Sequence, residues 1–196
     1  MWPRELRIWL VEDNPDHALL IQTTLEGSKY APRISVIGDG EQVLNFIASD
    51  VAGRNLVPPP DLVLLDLKLP KVDGLEVLKA MRAAATWRQV PVVVLTTLTR
   101  PVDIDECYAN GANGYLSKAV GPETFTSSVR DVVEYWLRLA ARREAGRRWA
   151  AERAALEADD SRPEWSAGLL AGAPGYELPL NIPGSGEATA GGTAAR

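Results

Sequence analysis

Five side chains form a chemically coherent set: Glu12, Asp13, Asp66, Thr96 and Lys118. Three are carboxylates, one is a hydroxyl and one an amine. Each sits at or just beyond the end of a short apolar run, so runs that pair as parallel strands deliver the whole set to one rim of one sheet. Crowded carboxylates repel one another and are tolerated when a divalent cation sits among them or when one stays protonated. Oxygen-only ligands favour Mg2+. A lysine on one side of Asp66 and a hydroxyl on the other suit an incoming phosphoryl group, whose three oxygens need positive charge and hydrogen-bond donors. The predicted chemistry is therefore phosphoryl transfer onto Asp66 beside a bound cation.

The elements that must hold these residues follow from the surrounding pattern. Pro60-Asp61 opens the apolar run Leu62 to Leu65, which reads as a strand buried on both faces and ends in Asp66. Pro70 and Gly74 then break the chain, so the loop after Asp66 is rigid and a helix over 75–84 starts beyond it. Leu6 to Val11 is a first strand, ending in Glu12 and Asp13. Asn14-Pro15-Asp16 starts a helix whose inward stripe is Ala18, Leu19, Ile21, Thr24 and Leu25, up to Gly27. His17, the one histidine, lies on that helix near the site mouth and reads as a surface residue with nothing around it in metal-ligand spacing. A strand at 34–37, a helix at 41–48 and a long proline-containing loop at 50–60 come next. Val90 to Thr97 repeats the buried-strand pattern with a hydroxylic tip. A weaker helix over 103–110, closed by Gly111, leads to a brief strand at 113–116 tipped by Ser117 and Lys118. Five β-α repeats predict a doubly wound parallel sheet with right-handed crossovers.

Composition narrows the classes. A chain of 196 residues, 46% hydrophobic, suits one domain of ordinary size plus an extension. The net charge of −5 gives no reason to expect nucleic acid or an anionic membrane as a partner. Cys107 stands alone, which excludes a disulfide framework and a cysteine metal cage. No apolar run approaches the roughly 18 residues needed to span a bilayer, and no signal-peptide pattern opens the chain, so a cytoplasmic protein is expected.

These residues resemble the receiver domain of two-component response regulators. The intervals from Asp66 to Thr96 and from Thr96 to Lys118 match that family's pattern, and so does the segment Asp66-Leu67-Lys68-Leu69-Pro70-Lys71-Val72-Asp73-Gly74. The resemblance covers about residues 4–137 and implies a flavodoxin-like fold. It implies that Asp66 is the phosphorylated aspartate, that Asp13 ligates Mg2+ directly and Glu12 indirectly, and that Lys68 contributes its backbone carbonyl. Thr96 and Lys118 would bind the phosphoryl oxygens, and Tyr115 matches the aromatic whose rotamer couples phosphorylation to partner binding. Within the family the chain is most similar to small single-domain regulators that partner bacterial phytochromes, on Glu12-Asp13-Asn14-Pro15, the long proline loop, Val93-Val94-Leu95-Thr96-Thr97 and Glu134-Tyr135-Trp136-Leu137. One departure is Ala119, where most receivers have a proline joined by a cis bond; a non-proline cis bond costs about 3 kcal/mol, so this loop is strained or differently shaped.

The implied function is a phosphoacceptor in a phosphorelay, fed by a sensor histidine kinase of phytochrome type and signalling through protein contacts. It is not an enzyme in the usual sense, apart from slow loss of its own phosphate. A dehalogenase-type phosphatase would need a second acid two residues after the nucleophile, where Lys68 stands. The alternative is a phosphorylation-independent dimeric scaffold with a receiver fold. Residues 1–137 are read as the receiver domain, 138–158 as a helical extension and 159–196 as a low-complexity tail expected to be disordered. In the last helix, Phe125, Val129, Val132, Val133 and Trp136 face inward. Trp149 and Leu156, on the extension, and Trp136 lead to the expectation of a homodimer. Its arginines are interleaved with glutamates and read as a solvated face, not a nucleic-acid patch.

Overall fold

The computed structural model describes residues 5–54 and 57–158. Strands β1 (Arg7–Val11), β2 (Arg33–Ile37), β3 (Leu62–Asp66), β4 (Val92–Thr96) and β5 (Gly114–Ser117) form one parallel sheet in the order β2-β1-β3-β4-β5. Helices α1 (Pro15–Leu25), α2 (Gly40–Val51), α3 (Gly74–Ala83), α4 (Pro101–Ala109) and α5 (Pro122–Ala158) alternate with them. This is the flavodoxin-like, doubly wound fold that the five repeats predict. The chain divides into one compact unit, Met1–Glu152, and a second, Arg153–Arg196, of which residues 153–158 are helical. The segment 159–196, expected to be disordered, lies outside the described residues.

Period-2 alternation in β1, β3 and β4 sends side chains to both faces, and both faces are covered. On one face Trp9, Val11, Val63, Leu65, Val92 and Val94 pack against Val43 and Ile47 of α2, Val77, Leu78 and Met81 of α3, and Cys107 of α4. On the other, Ile8, Leu10, Leu62, Leu64, Val93 and Leu95 meet Ala18, Ile21 and Leu25 of α1 and Phe125, Val129, Val133 and Leu137 of α5. β3 and β4 are buried throughout, which is why their sequences read as unbroken apolar runs.

Three local expectations differ. Leu19 is exposed, because the 100° step per residue carries it off the line through Ala18, Ile21 and Leu25. Trp136, expected inward, is only half-buried against the α5 core, and its neighbour Tyr135 is the exposed aromatic. Helix α2 runs on to Val51 and takes the first residues of the expected long loop. Beyond Ala141 the described α5 side chains are exposed apart from that of Glu144, Trp149 among them; the side chain of Leu156 lies outside the described set.

Buried polar groups tie the layers at points that carry no hydrophobic period. Arg82 on α3 donates to the carbonyls of Gly111 at 2.9 Å and Val90 at 3.0 Å and to Asn113 Oδ1 at 2.9 Å, joining α3 to the starts of β4 and β5. Its burial lowers the guanidinium pKa. The Trp87 indole, fully buried beside Trp9 at 5.0 Å, donates to Asp50 Oδ2 at 3.1 Å.

The loop between Asp66 and α3 is fixed from both sides. Gly74 donates to the Leu67 carbonyl at 2.9 Å and Asp73 caps α3 through the Leu75 N–H at 2.8 Å. Lys71 adopts φ +66°, and its ammonium pairs with Asp39 Oδ2 at 2.9 Å and Glu41 Oε2 at 3.1 Å. Asp39 also caps α2 through Gln42; the Gln42 hydrogen bonds, then Lys71, hold its carboxyl at a pKa of about 2. A Cβ on Gly74 would stand 2.1 Å from the Asp66 carbonyl oxygen and 2.7 Å from Leu67 Cα, both backbone atoms with nowhere to go. Gly74→Ala is therefore expected to lower the free energy of unfolding by about 2 kcal/mol, read by urea denaturation; a stability equal to the wild type would show that this loop is free to shift.

Candidate functional site

The strand order places the tips of β1, β3, β4 and β5 side by side, with the reversal in connection between β1 and β3 opening the crevice where such sheets bind ligands. Val11 pairs with Leu65, so Glu12 and Asp66 leave the sheet as neighbours, and the Glu12 N–H still donates to the Ile37 carbonyl at 3.0 Å. Asp66 pairs with Leu95 and Thr96 with Ser117, so the hydroxyl and the amine-bearing loop follow in the same row. Glu12, Asp13, Asp66, Thr96 and Lys118 thus reach one rim, while Tyr115 lies within β5, paired with Val94.

Glu12 is 2% exposed and Asp66 7%, whereas Asp13 lies in solvent. A ligand oxygen from each of the three lies within 4.8 Å of the others. Two buried carboxylates so close need positive charge. It comes from Lys118, whose Nζ contacts Glu12 Oε2 and Asp66 Oδ2 at 2.5 Å each. The second Asp66 oxygen, Oδ1, accepts the Lys68 N–H at 3.1 Å, and Glu12 Oε1 accepts the Asn14 N–H at 3.3 Å. The donor set is all oxygen, partly open to solvent and negative, which fits a hard divalent cation.

The neighbouring groups are held with equal economy. Thr96 is fully buried and its Oγ1 accepts the Leu98 N–H at 3.2 Å. Asn14 caps α1 by accepting the N–H groups of Asp16 and His17 at 2.9 and 3.2 Å, which starts the helix directly after Asp13. The side chain of Lys68 is exposed. Tyr115 is half-buried, and its hydroxyl is shielded without a hydrogen-bond partner; burial raises its pKa. Cys107 is buried and its thiol is pushed up by burial, which makes it a packing residue.

At the Ala119 departure, no cis peptide bond occurs among the described residues. Residues Lys118–Val120 instead form a 3-10 turn, with Ser117 Oγ accepting the Ala119 N–H at 3.2 Å. The loop is differently shaped and still brings the amine to Asp66. Sequence reading missed the Lys71–Asp39–Glu41 cluster and the contact of His17 with Glu12, where Nδ1 stands 3.4 Å from Oε1.

Comparisons with known proteins agree with this geometry. A family model described as the response regulator receiver domain matches residues 8–130. The probable methanogenesis regulatory protein FilR2 of Methanothrix harundinacea is 43% identical over 131 residues, which cover 66% of this chain and 83% of that protein. Response regulator Rcp1 of Synechocystis sp. is 34% identical over 130 residues, covering 66% and 88%. The crystal structure of its Mn2+-bound form gives a TM-score of 0.61 at 33% identity, covering 67% and 94%. The phosphorylated cyanobacterial phytochrome response regulator RcpA gives a TM-score of 0.62 at 34% identity, covering 68% and 95%. With three carboxylates, a buried threonine and a lysine at one sheet rim, and a family model spanning β1 to α5, the chain belongs to the response regulator receiver domain family.

Proposed function

We propose that Asp66 is the phosphoacceptor, taking a phosphoryl group from the phosphohistidine of a sensor histidine kinase of phytochrome type. The observation that carries this reading is the Lys118 ammonium held between Glu12 and Asp66, since it supplies charge where the phosphoryl oxygens would arrive. The likeness to RcpA, a phytochrome response regulator, supports the kinase class.

One oxygen of Asp66 attacks phosphorus in line as the P–N bond to the kinase imidazole breaks and its electron pair returns to the ring, leaving an aspartyl phosphate. Lys68 holds Oδ1 by its N–H, which keeps the carboxylate from turning away. Lys118 passes from the carboxylate pair to a phosphoryl oxygen. Thr96, whose oxygen already accepts from Leu98, has its hydroxyl proton to donate to another. A divalent cation, expected to be Mg2+, held by Asp13 and Asp66 directly, by Glu12 through water and by the Lys68 carbonyl, would neutralise charge on the phosphoryl oxygens. Water returns Asp66 to the free carboxylate slowly. The added charge draws the buried Thr96 hydroxyl toward the phosphoryl group and biases Tyr115, whose unbonded hydroxyl has no partner to hold it, between two placements.

Residues 1–137 act as the receiver and 138–158 as a helical extension, and the protein forms a homodimer through the last helix and strand. On that helix Tyr135, 47% exposed and edge-on to the half-buried Trp136 at 5.3 Å, is the aromatic available to a second copy. Along the extension Arg147 pairs with Glu144 at 2.7 Å, in keeping with a solvated face that takes no nucleic acid. Among the described residues no helix is long and apolar enough to cross a membrane.

Asp66→Asn is expected to abolish phosphate incorporation from acetyl phosphate and from a cognate kinase; labelling retained in that variant would move the acceptor elsewhere, and an unlabelled wild type would favour the phosphorylation-independent scaffold. Lys118→Gln is expected to cut labelling by at least about tenfold while tightening cation binding, because a competing charge leaves Glu12 and Asp66; weaker cation binding would contradict the bridging role. By light scattering the wild type is expected at dimer mass and Tyr135→Glu at monomer mass with unchanged circular dichroism, and a monomeric wild type would remove the dimer.

A further inference from the structure

The loop between Asp66 and α3 carries a backbone outlier. Lys71 has φ +66°, and across it the Val72 N–H donates to the Pro70 carbonyl at 2.8 Å. This is the rare γ-turn with a positive central φ, strained for a residue with a side chain and kept only where its surroundings fix it. Two contacts with the start of α2 fix it here. The Lys71 ammonium pairs with Asp39 and Glu41, and Gly40 lies so close to Val72 that a Cβ on it would stand 2.3 Å from the Val72 carbonyl oxygen.

The neighbouring turn gives that strain a use. Three residues earlier the Leu69 N–H donates to the Leu67 carbonyl at 3.1 Å, a second γ-turn, centred on Lys68. The Lys68–Leu69 peptide is trans, so the Lys68 carbonyl points opposite to the N–H that this bond aims. The Leu67 carbonyl also accepts the Gly74 N–H at 2.9 Å, which closes the loop, and the Lys68 N–H donates to Asp66 Oδ1 at 3.1 Å. Both backbone polar groups of residue 68 therefore have set directions. Its carbonyl receives no backbone N–H among the described residues.

Resting on the cation site set out above, we propose that Lys71 is a positioning residue for it: the ion pairs with the start of α2 hold the strained turn, and the turn keeps the Lys68 carbonyl aimed for the cation. The device acts from outside the site. Lys71 pairs with Asp39 and Glu41, neither of which belongs to the Glu12, Asp13 and Asp66 cluster, so its loss reaches the cation through the backbone alone. By linkage, a cation drawing on that carbonyl steadies the turn in return.

The test uses the full chain with Mg2+ alone as the calorimetric probe. Lys71→Met removes the charge and keeps most of the stem, whereas Lys71→Gly relaxes φ and removes the clamp as well. Both are expected to bind Mg2+ about tenfold more weakly than the wild type, and Lys71→Arg to bind close to it. The glycine variant carries no left-handed strain, so lost affinity at undiminished urea stability separates positioning from folding. With acetyl phosphate as donor, Lys71→Met is expected to label slowly at low Mg2+ and at the wild-type rate at saturation. Mg2+ is also expected to slow hydrogen exchange of the Val72 amide in the wild type and not in Lys71→Met. Wild-type affinity in either the methionine or the glycine variant, or a loss that arginine does not restore, would overturn the proposal and leave Lys71 as a surface ion pair. A wild type that binds no Mg2+ would instead overturn the cation site itself.

Discussion

An ammonium shared between two buried carboxylates is the constraint on which the rest of this molecule turns. Carboxylates up to 4.8 Å apart repel by about 3.5 kcal/mol at an effective dielectric near 20, and burial adds to the cost of keeping both charged. Lys118 offsets this by contacting both. The arrangement is tense by construction: removing the amine exposes the pair, and adding a cation releases the amine. On the proposed reading, a phosphoryl group on Asp66 would also free the amine from the pair, because its oxygens would give Lys118 a new partner.

The scaffold exists to hold that arrangement in register. Parallel pairing aligns four strand tips to within a residue, and a one-residue slip of β1, β3 or β4 would exchange the side chains fitted against α2 and α3 for those fitted against α1 and α5, which the two packed faces forbid. The loop after Asp66 is clamped by Gly74 against the Asp66 carbonyl and by Lys71 against Asp39 and Glu41. Asp39 owes its low pKa first to Gln42 and then to Lys71, so this clamp stays charged far below neutral pH. Position at the site is therefore set by backbone contacts and ion pairs outside it.

Much of this was legible in the sequence, for identifiable reasons. A strand buried on both faces leaves an unbroken apolar run, and a polar residue ending such a run marks the rim: Asp66 and Thr96 are legible that way, and Lys118 as the tip of a brief, half-buried strand. Asn14 and Pro15 marked the start of α1 because capping chemistry is local. Arg82, Lys71 and the placement of His17 were not legible, since each acts on a segment distant in the chain or turns on a side-chain direction that no period encodes. Leu19 was misread because a stripe one residue too wide still looks helical. The turn after Lys118 shows that the family's proline is one means of presenting the amine and that a 3-10 turn is another.

The most direct measurement is chemical mapping of the phosphorylated residue. After incubation with acetyl phosphate and a divalent cation, borohydride reduces an aspartyl phosphate to homoserine, and peptide mass spectrometry locates it. Conversion at residue 66 alone, lost when the cation is chelated beforehand, is the expected result. Conversion at Asp13 or Glu12, or none anywhere, would contradict the role assigned to the carboxylate at the tip of β3.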